Sequence, residues 1–284
     1  MSETNPTRGI ISLENWVTDR ASAILSVTSA KNLFPKGNLR NAHRSQVWRS
    51  TSATVAQEID IQLDQARLPT VFGLVNCNLD VSQSVTLTQA SDSGFTGSVA
   101  TWTLTTPTVA QTNRRTLRWY LGAADTGTAA ARQFWRITLP ANGSKDSDGD
   151  GTDDAYLELG VPYLGEWSEL SLQPGLDRRI IDPSIVVEGD GGAKFADVRT
   201  TYHEVSAQSR AMTAANALAM MADMDQAGIV RHLMLDIWAK TTDDAERVNG
   251  TYYGTLGRRG DVARFQRAIE LRDNLAFSFV EARA

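Results

Sequence analysis

Hydrophobic and polar residues alternate with a period of two along "EIDIQLD" (58–64). Ile59, Ile61 and Leu63 fall on one face, and Glu58, Asp60, Gln62 and Asp64 on the other. That is the pattern of a strand with one buried face. Short runs rich in Val, Thr and aromatic residues follow at "VFGLVN" (71–76), "VTLTQAS" (85–91), "ATWTLTT" (100–106), "LRWYLG" (117–122), "FWRITL" (134–139) and "AYLELGVPYLG" (155–165). Strands at this spacing, with no long helical segment between them, predict an antiparallel sandwich or jelly roll.

The pattern changes after "SLQPGLDRRIIDP" (171–183), where Pro174-Gly175 interrupts the strands. Residues 185–208 predict one long hairpin turning at Gly189-Asp190-Gly191-Gly192, residue types that tolerate positive φ. A helix follows: Thr213 is the expected N-cap, Ala214, Ala217, Leu218, Met221 and Met224 form its apolar stripe, and Gly228 ends it. "RHLMLDIWA" (231–239) returns to strand, and 262–271 with 275–282 predict a closing hairpin across Arg272-Asp273-Asn274. The expected class is mainly β: a sandwich domain at 1–172, then an α+β sandwich domain at 176–284 with one helix and a long hairpin.

With 284 residues the chain is long enough for two cores at the usual ~100–200 residues per domain. A net charge of −5, and arginine pairs without interleaved aromatics, argue against nucleic-acid binding. The single cysteine, Cys77, excludes an intrachain disulfide and a cysteine-based zinc site. The start "MSETNPTRGI" has no apolar core of a signal peptide, and the longest uncharged run, 93–113, is threonine-rich and not a membrane span.

The first half resembles a known family. "NLFPKGNLRNAHRSQVWRST" followed by "EIDIQLDQARLPTVFGLVNCNLD" is similar to the discoidin-like, or galactose-binding-like, jelly roll, with Trp48-Arg49-Ser50, Ile59–Leu63 and Asn78-Leu79 in the matching places. The resemblance covers roughly residues 20–167 and is narrower toward the discoidin-like modules of tailed-phage virion proteins. The order of elements in the second half resembles the block that builds phage tail tubes and distal tail proteins. Together these imply a non-enzymatic structural component of a virion tail or tail tip. Its partners would be copies of itself in a ring and neighbouring tail proteins; it would be made in the host cytoplasm without a signal peptide. Two rivals remain: a carbohydrate-binding module that holds a host-surface glycan, and a glycan-degrading enzyme.

The chemistry-bearing stretch is "KDSDGDGTDDAY" (145–156). Asp146, Asp148, Asp150, Thr152 and Asp154 stand at positions 1, 3, 5, 7 and 9 of a D-x-D-x-D-G loop, with Gly151 at 6. This spacing brings hard oxygen ligands together for Ca2+. Leu157 stands where the bidentate glutamate of such loops belongs, so a solvated turn between two strands is the competing reading. Catalytic motifs are absent: no H-E-x-x-H, G-x-S-x-G or phosphate-binding glycine loop occurs. His43, His203 and His232 read as surface or strand residues, and Trp48, Trp102, Trp119 and Trp135 as core.

Overall fold

A computed structural model describes the chain apart from residues 1–8, 98, 110–115, 142–145, 147–151, 171, 173–175, 189–193, 198, 200, 213, 229, 240–242, 267–270 and 283–284. The fold is mainly β with β-sandwich sheets, as the strand pattern predicts. In chain order the first strands are β1 (Gly9–Ser12), β2 (Ala23–Val27), β3 (Trp48–Arg49), β4 (Gln57–Arg67), β5 (Val71–Cys77) and β6 (Ser84–Ala90). Next come β7 (Ala100–Thr105), β8 (Thr116–Tyr120), β9 (Arg132–Leu139), β10 (Glu158–Gly165) and β11 (Ser168–Leu170). A 3-10 helix at Lys36–Arg40 lies between β2 and β3. The remainder runs β12 (Asp177–Ile181), β13 (Ile185–Glu188), β14 (Lys194–Asp197), β15 (Tyr202–Met212), α1 (Ala214–Ala227), β16 (Leu233–Asp236), α2 (Asp244–Gly250), β17 (Thr251–Gln266) and β18 (Leu271–Glu281).

The chain forms two compact units, Met1–Glu169 with Leu233–Tyr252, and Leu170–His232 with Tyr253–Ala284. Residues 233–252, assigned by pattern to the block at 176–284, therefore group with the first unit. There β16 pairs antiparallel with β1, Ile11 opposite Leu235.

The first unit is a sandwich of a five-stranded sheet, β2-β4-β9-β6-β7, and a four-stranded sheet, β3-β10-β5-β8. Ile59, Ile61 and Leu63 of β4 share one core with Val85, Leu87, Trp135 and Ile137 and with Phe72, Leu74, Trp119 and Leu159 of the other sheet. Trp48, Trp102, Trp119 and Trp135 are all buried, as expected. On the polar face of β4, Asp60 is also buried. It accepts from Arg136 Nε (2.6 Å), Arg136 Nη2 (2.9 Å) and Ser26 Oγ (2.7 Å), which compensates its lost hydration.

The four-stranded sheet is buried on its second face as well. Every residue of β8 and β10 is buried. Tyr163 of β10 donates to Ser12 O at the end of β1 (2.8 Å). Gly73 of β5 leaves room for Met234 of β16, whose Cε lies 2.5 Å from where a Cβ would stand. A second apolar layer, built from residues distant in sequence, thus excludes water from what period-two alternation reads as a polar face.

In the second unit β17, β18, β15 and β12 lie side by side, and α1 packs against β15 and β18. The stretch 185–208 is not one long hairpin. β13 and β14 form a short two-stranded ladder, Ile185 opposite Asp197, and β15 instead pairs with β12 and β18. Its predicted tip, 189–192, lies outside the described residues. The long hairpin is β17–β18, paired from Gly254↔Glu281 to Gln266↔Leu271, so Arg272-Asp273-Asn274 lie within β18 and do not form the turn. Helix α1 ends as expected: Gly228 has φ +61° and its N–H bonds Met224 O at 2.8 Å, while Thr213, the expected N-cap, lies outside the described residues. A second helix, α2, was not expected; Asp243 caps it by accepting from the N–H groups of Ala245 and Glu246.

Gly228 offers a clean test of that C-cap, because nothing lies within 4 Å of the place a Cβ would take and only the backbone conformation opposes a side chain. Gly228→Ala is expected to destabilise the second unit by about 1 kcal/mol, read as a lower denaturation midpoint of the helical circular-dichroism signal. An unchanged midpoint would remove the left-handed cap.

Candidate functional site

The residues of the sequence resemblance and the C-terminal side of the Asp-rich loop meet at one end of the sandwich. β3 pairs with the start of β10, Trp48 opposite Leu159 and Arg49 opposite Glu158. The end of β5 also reaches this point, Cys77 opposite Leu159. Ser50 Oγ accepts from Leu157 N (2.8 Å), and Ser50 N donates to Leu157 O (2.9 Å). Asn78 is fully buried and satisfies three groups: Oδ1 accepts from Glu158 N (2.6 Å), and Nδ2 donates to Tyr156 O (2.9 Å) and Asp154 Oδ2 (3.0 Å). Trp48 Nε1 donates to Ser29 O (2.9 Å), which ties the preceding loop to the same end.

On this base sits a group of rings and cations. The Arg49 guanidinium lies 4.2 Å from the Phe34 ring centroid and 4.6 Å from that of Tyr156. Lys31 Nζ stands 4.2 Å from the Tyr156 centroid. A cation over an aromatic face is attracted by the ring quadrupole, and stacking also fixes the guanidinium plane. Arg49 Nε donates to the buried carboxylate of Glu158 (2.7 Å). The Arg49 side chain keeps 28% of its exposure, and Nε alone is engaged by a carboxylate among the described residues. The result is a planar donor held in a fixed orientation at the surface.

The predicted metal ligands divide. Asp148 and Asp150 lie outside the described residues, as does Gly151. Thr152 is exposed, Asp146 is half-buried, and Asp154 is buried with one carboxylate oxygen committed to Asn78. Among the described residues no three His, Cys, Asp or Glu side chains gather closely enough for a metal. Asp154 therefore has a structural role of its own, anchoring the loop end. Calcium held by 146–154 is a proposal with a direct test. Ligand binding to the folded state stabilises it by RT ln(1 + [L]/Kd), about 2.7 kcal/mol at 100-fold saturation. Millimolar calcium is expected to raise the melting temperature, and Asp148→Ala with Asp150→Ala to abolish the rise. An unshifted melt of the native protein assigns the loop to turn chemistry.

The histidines are dispersed. His43 is exposed in the loop before β3, with its N–H bonded to Asn41 Oδ1 at 2.9 Å. His203 Nδ1 lies 2.9 Å from Glu281 Oε2, and His232 stacks on Tyr253 at 5.3 Å between centroids. Phe34, Lys31 and Tyr156 were not singled out in the sequence. The signal available was weak: three residues in two polar loops, Lys31 and Tyr156 lying 125 positions apart (156 − 31).

No family model matches the chain, and no curated protein matches it. Among solved structures, the chain is similar to the family 32 carbohydrate-binding module of Streptococcus pneumoniae EndoD, at 14% identity and TM-score 0.38, covering 54% of this chain and 99% of that one. It is also similar to the family 32 module of Clostridium perfringens NanJ, solved in complex with galactose, at 12% identity and TM-score 0.36, covering 52% and 93%. A third similar structure is reduced XRCC1 bound to the DNA pol beta catalytic domain, at 16% identity and TM-score 0.38, covering 50% and 95%.

Proposed function

We propose that the first unit is a non-catalytic carbohydrate-binding module whose ligand meets the sandwich at Arg49. One observation carries this reading: a partly exposed Arg49 side chain whose guanidinium lies 4.2 Å and 4.6 Å from the ring centroids of Phe34 and Tyr156 and is held by Glu158. Sugars present two things to a protein, an apolar C–H face and pairs of neighbouring hydroxyls. The half-buried Phe34 ring serves the first, with the buried Tyr156 ring behind the guanidinium, and a rigid planar fork of N–H donors serves the second. A few oriented polar groups on an apolar platform are the usual make-up of a small-ligand site. The reading of a virion tail component that assembles as a ring rests on sequence resemblance alone. The described residues of 185–208, expected as one long hairpin, fold as β13, β14 and the start of β15.

The test is binding of the full chain to a panel of immobilised glycans. Arg49→Lys keeps the charge beside Glu158 but loses the planar fork, and is expected to weaken retention by about tenfold, one good polar contact's worth. Phe34→Ala is expected to weaken it while leaving the melting temperature within a few degrees. Native protein that binds no glycan on the panel, or an Arg49→Lys variant that binds as well as native, would sink the proposal.

A further inference from the structure

The stretch from Asp19 to Glu58 contains no acidic residue between its ends, although the chain as a whole carries net charge −5. Arg20, Lys31, Lys36, Arg40, Arg44 and Arg49 all fall inside it. The structure gathers part of this stretch on one side of the sandwich. β2 ends the five-stranded sheet and β3 ends the four-stranded one, and the 3-10 helix packs on β2, β3 and β10. Thr28 N bonds Glu58 O (3.0 Å), Lys31 N bonds Arg49 O (2.8 Å) and Arg49 N bonds Phe34 O (3.3 Å), so the segment is stitched to both sheets.

Half of these charges have no ion-pair partner among the described residues. Arg20 is paired with Glu14 and Arg49 with Glu158. Lys31, Lys36 and Arg40 form no ion pair with any described carboxylate: Lys36 Nζ donates to Leu25 O (2.8 Å), Arg40 Nη2 contacts Arg20 O (3.5 Å), and Lys31 lies over Tyr156. Lys36 and Arg40 are exposed, and so is Leu33 between the cations, at 85%. The bordering Glu58 is committed to Arg136 (3.2 Å). Lys31, Lys36 and Arg40 thus present positive charge without an ion-pair partner among the described residues, and such exposed charges attract anions over roughly a Debye length, about 8 Å at physiological ionic strength.

We infer that the ligand of the Arg49 site is an anionic glycan, carrying carboxylate groups along the chain, that runs from Arg49 across Lys31, Lys36 and Arg40. This inference rests on the carbohydrate-binding reading and specifies its substrate class. The same planar fork that fits neighbouring hydroxyls fits a carboxylate better, because charge-assisted and bidentate bonds are stronger than neutral ones. Each lysine then meets a further acidic residue of the polymer as a point charge, and Leu33 supplies apolar contact beside them.

The test is affinity electrophoresis of the full chain through gels containing polygalacturonate, neutral galactan or a single-stranded DNA oligonucleotide. Polygalacturonate is expected to retard the native protein most, with retardation falling as salt rises from about 50 to about 500 mM, as screening of exposed charges requires. The variant Lys31→Gln/Lys36→Gln/Arg40→Gln is expected to lose about tenfold in affinity for polygalacturonate, given three exposed charge contacts of modest size each. The charge-preserving variant Lys31→Arg/Lys36→Arg/Arg40→Lys is expected to retain it, which separates charge from folding. Equal retardation by galactan, unaffected by the glutamines, overturns the anionic ligand and leaves the carbohydrate reading standing. Retardation by DNA as strong as by polygalacturonate overturns the glycan in favour of a general polyanion surface. No retardation by any glycan overturns both.

Discussion

Asp236→Ala is expected to lower the unfolding free energy by about 3–5 kcal/mol, the cost of removing one partner from a buried ion pair. The Asp236 carboxylate is 1% exposed and contacts Arg118 Nε, whose side chain is 3% exposed. It also accepts from the Tyr120 hydroxyl (2.6 Å) and from Trp238 N (2.9 Å). The Arg118 contact is a close ion pair and not an aligned hydrogen bond, and Arg118 Nη2 has no hydrogen-bond partner among the described residues. Arg118 thus depends on this one carboxylate, apart from its stacking over Tyr120 at 4.5 Å. Denaturant unfolding of the full chain measures the loss. The double variant Arg118→Met/Asp236→Leu removes both charges and is expected to recover most of it, since an apolar pair of similar volume replaces a buried ion pair at little cost. Burial first, and then the Asp236 carboxylate, pushes the Tyr120 hydroxyl well above the ordinary value of 10.0. The sign follows: the folded state keeps this proton where the unfolded chain gives it up, so stability is full below about pH 10 and falls as pH rises beyond it. An Asp236→Ala variant within about 1 kcal/mol of native would show that this polar cluster is not buried as described.

Asn78→Ala is the second large effect, with an expected loss of about 2–4 kcal/mol, because a buried group left without its partner costs roughly 1–3 kcal/mol. The Asn78 side chain serves Glu158 N, Tyr156 O and Asp154 Oδ2 at once. An alanine leaves all three without it, in a place where the backbone bond from Asn78 N to Glu158 O is already long at 3.3 Å. The effect extends to binding. Tyr156 and Glu158 are the ring and the carboxylate that hold Arg49, so a looser 154–158 segment frees the guanidinium to rotate. Glycan retention is expected to fall more steeply than the melting temperature alone would suggest. Equal stability of the variant and native protein would contradict the hydrogen-bond geometry; lost stability with unchanged retention would separate this anchor from the binding end.

Much of the architecture is written in local pattern. The period-two run at 58–64 places Ile59, Ile61 and Leu63 in the core, and each is buried. The Val- and Thr-rich runs that follow it became β5 to β10 with boundaries shifted by up to three residues. Gly228 stopped α1 where a residue tolerating positive φ was needed. These features are legible because strand pairing faces and helix caps depend on residues next to one another in the chain. The start of helix α2 is also written locally: Asp243 before Asp244 and Glu246 is an ordinary N-cap with an acidic first turn.

What the tertiary structure decided is the fate of polar residues on the second face of a sheet. "LRWYLG" reads as a strand, and nothing in it shows that Arg118 is buried beside Asp236 of β16. Likewise Glu158 in "YLELG" is buried beneath Arg49, and residues 233–252 join a unit that begins more than 200 positions earlier. Alternation reports only that one face is more polar than the other. It carries no trace of a distant strand that will cover the polar face and supply the opposite charge. The binding end shows the same division. Trp48-Arg49-Ser50 and Asn78 were marked out by resemblance in the sequence, but their chemistry arose when Phe34 and Tyr156 closed on Arg49. The Tyr156 contact exists through the pairing of β3 with β10 and the Phe34 contact through the bond from Arg49 N to Phe34 O, and no local interaction prefigures either.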